Sequence, residues 1–252
     1  MKTPISYYGG KQAMLKTILP LIPEHQIYCE PFFGGGAVFW AKEPSKYEYI
    51  NDFNDLVVNF YEQLKNNFEE LKSKIIATLY SRSAQKMAKN IYENPQLFTP
   101  VMRAWAFWIV TNFGFNNEID SFGTCIKNPT TRFHKRQNFT EELSKRLDKV
   151  FIENIDAVKL IKRIDNKDAF FYIDPPYVGA NQGHYGGYEQ EHFDKLLECL
   201  SQIKGKFMLS SYPNESLSKY AKEHGWKIEN INLSLSASPS KKRKIECLTI
   251  NY

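Results

Sequence analysis

A chain of 252 residues can bury a sizeable core, and its 42% hydrophobic and 24% charged residues are ordinary for a soluble globular protein. No run approaches the roughly 18 consecutive apolar residues of a membrane helix, and "MKTPISYYGGKQ" at the start lacks the apolar core of a signal peptide. The net charge of +5 permits a polyanionic partner without requiring one.

The four cysteines (Cys29, Cys125, Cys199, Cys247) lie far apart with no CxxC pair and no clustered histidines. This argues against a disulfide framework or a metal site and for reduced, core-type thiols. Cytoplasm is the expected location. The 18 Phe and 15 Tyr suit either a dense core or surfaces that stack on flat ligands.

In chain order, "AMLKTILPLI" has helical spacing up to Pro20 and Pro23. "QIYCEPF" is a short apolar run ending at a proline and glycines, "AVFWAKE" resumes a helical pattern, and "YEYINDFN" is a second strand ending in acidic residues. Strand, glycine turn, helix, strand is an α/β sheet unit. From Leu56 the pattern turns helical through "LVVNFYEQLKNNFEELKSKIIATL" and "PVMRAWAFWIVTNFGF", the second aromatic-rich and buried in character. Between Asn112 and Asn138 the periodicity vanishes, which predicts a long functional loop or a hairpin.

Alternation returns near Asp148. "KVFIENID" reads as strand, "AVKLIKRI" as helix and "AFFYIDPPY" as strand. Then come a helix in "EQEHFDKLLECLSQI", a strand in "KFMLSSYP" and a helix in "SLSKYAKEHG". Two alternating strands around a basic loop close the pattern. The expected organisation is a discontinuous α/β domain, 1–55 and 147–252, interrupted by a mostly helical insertion, 56–146. No internal repeat or low-complexity tract occurs.

Two stretches carry chemistry. In "YCEPFFGGGAVF" a strand feeds glycines that open a helix, bringing bare backbone amides close to a ligand. The spacing matches neither GxGxxG nor a P-loop. Glu30 and Asp52 are both expected at the carboxyl edge of the sheet, and an acid ending the second strand is placed to take the hydroxyls of a ribose. These features favour a nucleoside ligand without a pyrophosphate; the bland alternative is a tight turn with glycines for packing.

The second stretch is Asp174-Pro175-Pro176-Tyr177 at the end of an apolar strand. The Asp carboxylate can hold an exocyclic amine. Pro176 brings no N–H and restricts Pro175 to an extended conformation, so the Pro175 carbonyl is free as a second acceptor. Tyr177 offers a flat face for stacking. Two acceptors and a ring suit an aromatic amine, whose nitrogen lone pair they expose to an electrophile. The alternative is a strand terminator with a capping Asp and a core Tyr.

"YYGGK" at 7–11, "EPFFGGGAVF" at 30–39, "YINDFN" at 49–54 and "FFYIDPPY" at 170–177 together resemble the Dam-type, D12 class DNA N6-adenine methyltransferases of the α group. The resemblance covers nearly the whole chain. It implies a Rossmann-like methyltransferase sheet with a mostly helical target-recognition insertion, S-adenosyl-L-methionine as methyl donor, and adenine in double-stranded DNA as acceptor. By that similarity Tyr7 and Lys11 lie against the cofactor, Phe32 and Gly34, Gly35 and Gly36 turn around its methionine part, and Asp52 takes its ribose. Asp156 is implied for the cofactor's adenine, and Asp174 sits between cofactor and base. Taken alone, Lys11 reads as a surface lysine and Tyr7, where Trp is commoner in the family, as a core aromatic.

The implied mechanism flips the base out of the duplex, at a cost of a few kcal/mol. Tyr177 replaces the lost stacking, Asp174 and the Pro175 carbonyl polarise N6, and neither metal nor covalent intermediate is required. Two basic clusters, "RFHKR" with Arg132, Lys135 and Arg136 and "SKKRK" with Lys241, Lys242 and Arg243, fall in expected loops and suit phosphate contacts. "NFGFNNEIDSFG" resembles the family's DNA-contact stretch, which points to Asn116, Asn117 and Ser121. A cognate restriction endonuclease is the one protein partner that the resemblance suggests. Rival readings are a methyltransferase for an RNA base or protein amide, and a nucleic-acid-binding relative that has lost catalysis.

Overall fold

A computed structural model describes residues 1–7, 9–114, 135–179, 187–234 and 243–252. The chain divides into two compact units made of interleaved stretches. Met1–Pro20, Gly34–Pro44 and Asp52–Asn154 form the first; Leu21–Phe33, Ser45–Asn51 and Ile155–Tyr252 form the second. The strands are β1 (Ile27–Glu30), β2 (Tyr47–Asn51), β3 (Val150–Glu153), β4 (Ala169–Ile173), β5 (Lys206–Ser211), β6 (Lys227–Ser234) and β7 (Arg243–Ile250).

In the first unit, β3 accompanies the helices α1 (Leu15–Ile18), α2 (Ala37–Ala41), α3 (Asp55–Asn66), α4 (Phe68–Ala77), α5 (Arg82–Glu93), α6 (Pro100–Phe113) and α7 (Glu141–Arg146). The Asn54 side chain caps α3 by accepting the Leu56 N–H at 3.0 Å. The helical run from Leu56 onward is two helices, because Asn67 leaves helical geometry (φ −131°, ψ 39°). Helix α5 was not anticipated. Its buried residues are only Gln85, Ala88 and Ile91, too thin a stripe to stand out in the sequence.

Helix α6 starts with Pro100 at its first position under a Thr99 cap and is buried continuously from Ala104 to Phe113. An interior helix must satisfy its polar side chains locally. Thr111 donates to the Phe107 carbonyl at 2.8 Å, and Asn112 donates to that of Trp108 at 3.0 Å. Two further bonds hold the N-terminal segment against this helix. The Trp108 indole donates to the Pro4 carbonyl at 3.1 Å, and the Ser6 N–H donates to Asn112 Oδ1 at 3.1 Å.

Six strands lie in the second unit, in the order β2-β1-β4-β5-β7-β6. β2, β1, β4 and β5 run parallel, while β7 is antiparallel to both β5 and β6. This is the expected Rossmann-like α/β sheet. The strand β4, all of whose residues are buried, reads as an uninterrupted apolar run because parallel central strands are covered on both faces. Phe171 and Ile173 pack into a core with Leu160 and Ile161 of α8 (Ala157–Ile164), Phe193, Leu196 and Leu197 of α9 (Gln190–Leu200), and Leu217 and Ala221 of α10 (Glu215–His224). The strand order reverses between β1 and β4, so the carboxyl ends of these two strands form a topological switch point, where open α/β sheets bind ligands. Among the described residues no helix is long and apolar enough to cross a membrane.

Candidate functional site

The first unit holds the glycine turn. Gly34 and Gly36 adopt left-handed backbone (φ 47° and 61°), and Gly36 is the residue that opens α2. Gly35 meets a different constraint: a Cβ there would come within 3.1 Å of Tyr7 Cβ, closer than side chains ordinarily pack. Tyr7 is buried and its ring centroid lies 6.2 Å from that of Phe107 on α6. The turn is therefore drawn tight against the N-terminal segment that α6 holds in place.

Asp52, 1% exposed, fixes that turn. Its Oδ2 accepts the Gly34 N–H at 2.8 Å and its Oδ1 accepts the Asn54 N–H at 2.9 Å. The Gly34 carbonyl accepts the Tyr61 hydroxyl at 2.9 Å. Lys11 is buried too, and its ammonium donates to the Gly9 carbonyl at 2.9 Å. The residue after Asp52, Phe53, is 80% exposed. The sequence reading passed over it, although an aromatic directly after a strand-ending acid was the available signal.

The second unit holds the other group. Glu30 ends β1 and is buried, accepting a hydrogen bond from the Tyr28 hydroxyl. At the switch-point end of β4 come Asp174, Pro175, Pro176 and Tyr177, all partly or fully buried. The Tyr177 hydroxyl and Ser210 Oγ share a hydrogen bond of 2.8 Å. The Tyr212 ring meets that of Tyr177 edge-on, with centroids 4.4 Å apart and planes at 65°. Burial pushes the Tyr177 phenol well above its ordinary pKa, and the charges of Asp174 and Glu246 push it further. Tyr172 is raised in the same way, by burial and then by Asp174. Both phenols stay protonated. A cleft of about 30 Å³ is lined by Pro175, Pro176, Tyr177, Ser211, Tyr212 and Asn214 among others.

Asp156 is exposed and caps α8, where its Oδ1 accepts the Lys159 N–H at 2.9 Å. Tyr188, another residue that the sequence reading missed, meets Phe32 edge-on at 6.1 Å. Its phenol is raised by burial first and by the Asp156 charge next. Phe32, Tyr188 and Asp156 thus form one cluster in this unit.

Of the expected DNA contacts, Asn116, Asn117, Ser121, Arg132, Lys241 and Lys242 lie outside the described residues, as does the side chain of Arg243, which opens β7. Lys135 and Arg136 are within them. The Lys135 ammonium donates to Ser6 Oγ at 2.5 Å, and burial lowers its pKa to about 8. Burial also lowers Arg136.

The family profile described as D12 class N6 adenine-specific DNA methyltransferase matches residues 7–234. The chain is 27% identical over 275 residues to the type II methyltransferase M1.LlaDCHI of Lactococcus lactis subsp. cremoris, covering 97% of this chain and 93% of that protein. It is 21% identical over 271 residues to the DNA adenine methylase of Salmonella typhi, covering 98% and 94%. A third relative, modification methylase LlaI of Lactococcus lactis subsp. lactis, is 24% identical over 285 residues; there the match takes in all of this chain but 43% of the relative.

Proposed function

The chain belongs to the D12 class N6 adenine-specific DNA methyltransferase family, and from that premise we propose that it moves the methyl group of S-adenosyl-L-methionine to N6 of an adenine flipped out of double-stranded DNA at one short sequence. The observation that carries this reading is the carboxyl end of β4. Asp174, Pro175 and Tyr177 stand at the switch point of the sheet, with the Tyr177 hydroxyl tied to Ser210.

The residues present fit the proposed cofactor. Gly34 and Gly36, whose left-handed backbone turns the chain into α2, offer bare backbone suited to close approach by the methionine part, while Gly35 lets that turn pack against Tyr7. Asp52, the buried carboxylate whose oxygens accept the Gly34 and Asn54 N–H groups, is the acceptor that we assign to the ribose hydroxyls. Phe53, exposed beside it, offers a ring for the adenine to cover. The second oxygen of Asp156 suits the adenine's exocyclic amine. Tyr7, Lys11 and Phe32 complete the set that we assign to the cofactor. When bound, S-adenosylmethionine supplies an electrophilic sulfonium methyl.

The chain's own residues do the rest. Asp174 and the Pro175 carbonyl accept the two N6–H bonds and draw the nitrogen out of conjugation, which exposes its lone pair. Tyr177 gives the extruded base a stacking surface, worth roughly 1–3 kcal/mol, against an extrusion cost of a few kcal/mol. Holding the nucleophile in a near-attack geometry supplies much of the rate.

We assign 1–55 and 147–252 to catalysis and cofactor binding, and 56–146 to target recognition. Arg132, Lys135, Arg136, Lys241, Lys242 and Arg243 are assigned to phosphate, and Asn116, Asn117 and Ser121 to base or backbone contacts. The relatives' names, type II methyltransferase and modification methylase, support a cognate restriction endonuclease as partner, and the proposed DNA substrate makes the cytoplasm the location that we assign. The test is expression in a host lacking adenine methylation, followed by single-molecule sequencing. N6-methyladenine confined to one short motif is expected; an unmodified genome with soluble, cofactor-binding protein would overturn the choice of DNA.

A further inference from the structure

The assignment of Tyr177 as the stacking surface leaves open what holds its ring. A tyrosine side chain turns about two bonds, and a stacking platform that wobbles loses its advantage; the supporting contacts decide how well the geometry is preset. β5 lies next to β4 in parallel register, with Tyr172 opposite Met208 and Ile173 opposite Leu209. The last residues of β5 and the loop after it, Ser210, Ser211 and Tyr212, therefore run beside the Asp174–Tyr177 segment. Ser210 is fully buried and bonds the Tyr177 hydroxyl at the tip of the ring. Tyr212 packs against the same ring at 65°, a favoured edge-to-face arrangement. One contact ties the tip of the ring and the other braces its side.

We propose that Ser210 and Tyr212 are positioning residues, which act through Tyr177 to preset the face that the target adenine meets. The proposal rests on the reading of Tyr177 given above. Neither residue touches the base in this scheme. Burial keeps the Tyr177 phenol protonated, so the Ser210 bond persists through the physiological pH range.

The experiment is a set of variants of the full chain: Ser210→Ala, Tyr212→Leu, Tyr212→Phe, Tyr177→Phe and the double variant Tyr177→Phe/Ser210→Ala. Methyl transfer is measured on duplex DNA, and thermal unfolding is measured in parallel. Loss of one such hydrogen bond predicts a fall in kcat of roughly tenfold for Ser210→Ala, with KM for S-adenosylmethionine unchanged. Tyr212→Leu should fall similarly, and Tyr212→Phe, which keeps the ring, should not. In the Tyr177→Phe background, Ser210→Ala should cost less than about twofold more, because the bond it removes is already gone.

An undiminished kcat in both Ser210→Ala and Tyr212→Leu would overturn the proposal. So would an equal loss from Ser210→Ala with and without the Tyr177 hydroxyl, which would mark Ser210 as merely structural. If the parent chain methylates no DNA, the functional reading falls instead. The unfolding temperatures of the same set then still report whether Ser210 and Tyr177 are coupled, and independent effects would sink the positioning contact on their own.

Discussion

The Asp52 carboxylate reaches back 18 positions in sequence to accept the Gly34 N–H at 2.8 Å, while its other oxygen holds the Asn54 N–H at 2.9 Å. One buried side chain thus sets both a left-handed glycine turn and the start of α3. The residue proposed to take the ribose is also part of the frame on which its site is built.

Asp52→Asn should therefore damage both stability and ligand binding. The carboxamide has one acceptor oxygen and an NH₂ group, so one backbone N–H would face another donor. Hydrogen bonds to charged groups contribute about 1.5–3 kcal/mol each, and a loss of about that size is expected in urea unfolding. Calorimetry should show S-adenosylmethionine binding weakened at least tenfold. Unchanged stability would mean that the turn is held by other contacts.

Phe53→Ala separates ligand binding from folding. A ring 80% exposed contributes little to the core, so stability should stay within about 0.5 kcal/mol. Stacking of a base on an aromatic ring is worth roughly 1–3 kcal/mol, which predicts a drop of about 5- to 150-fold in cofactor affinity by calorimetry. An unaltered affinity would leave Phe53 outside the site.

Asp174→Ala should leave the fold intact, because the residue follows β4 and is only partly buried. Its kcat should fall by at least about 10³-fold, the upper range for removing one group that stabilises a transition state. Cofactor affinity should change by only a few fold. Circular dichroism and a methyl-transfer assay check the two halves, and retained turnover would remove Asp174 from the reacting centre.

Lys135 predicts a pH dependence. Burial lowers its pKa to about 8, against an unfolded value near 10.4. Between these values the unfolded chain holds a proton that the folded chain has lost, so the Lys135 contribution to stability rises with pH across that window. Below about pH 8 the folded state carries the cost of a buried charge. Lys135→Met should abolish this rise, measured as the difference in unfolding free energy between variant and parent from pH 7 to pH 10. Parallel curves would show that the ammonium is solvated.

The strands and their ends were legible because each carries a local mark. An apolar run stops at Glu30-Pro31, at Asn51-Asp52 and at Asp174-Pro175, and these punctuate β1, β2 and β4 within a residue or two. The hydrophobic run of α6 was equally plain. What stayed hidden depends on partners distant in the chain. Ser210 meets Tyr177 across 33 positions and Asn112 meets Ser6 across 106, and neither serine carries a local signal of its role. The break at Asn67 was masked because helical spacing continues across it. Phe53 was overlooked because an exposed phenylalanine and a core phenylalanine look alike in one dimension.

The interleaving of the two units has a consequence for synthesis on the ribosome. Each unit draws on three separated stretches, and the first is not complete until Asn154 has been added. By then Leu21–Phe33 and Ser45–Asn51 have emerged without β4, the strand that pairs with β1. At the usual 5–20 residues per second, those two segments wait on the order of ten seconds for their sheet. Nascent chains arrested at successive lengths should show protease resistance appearing in the first unit before the second, with β1 and β2 as the interval most in need of a chaperone.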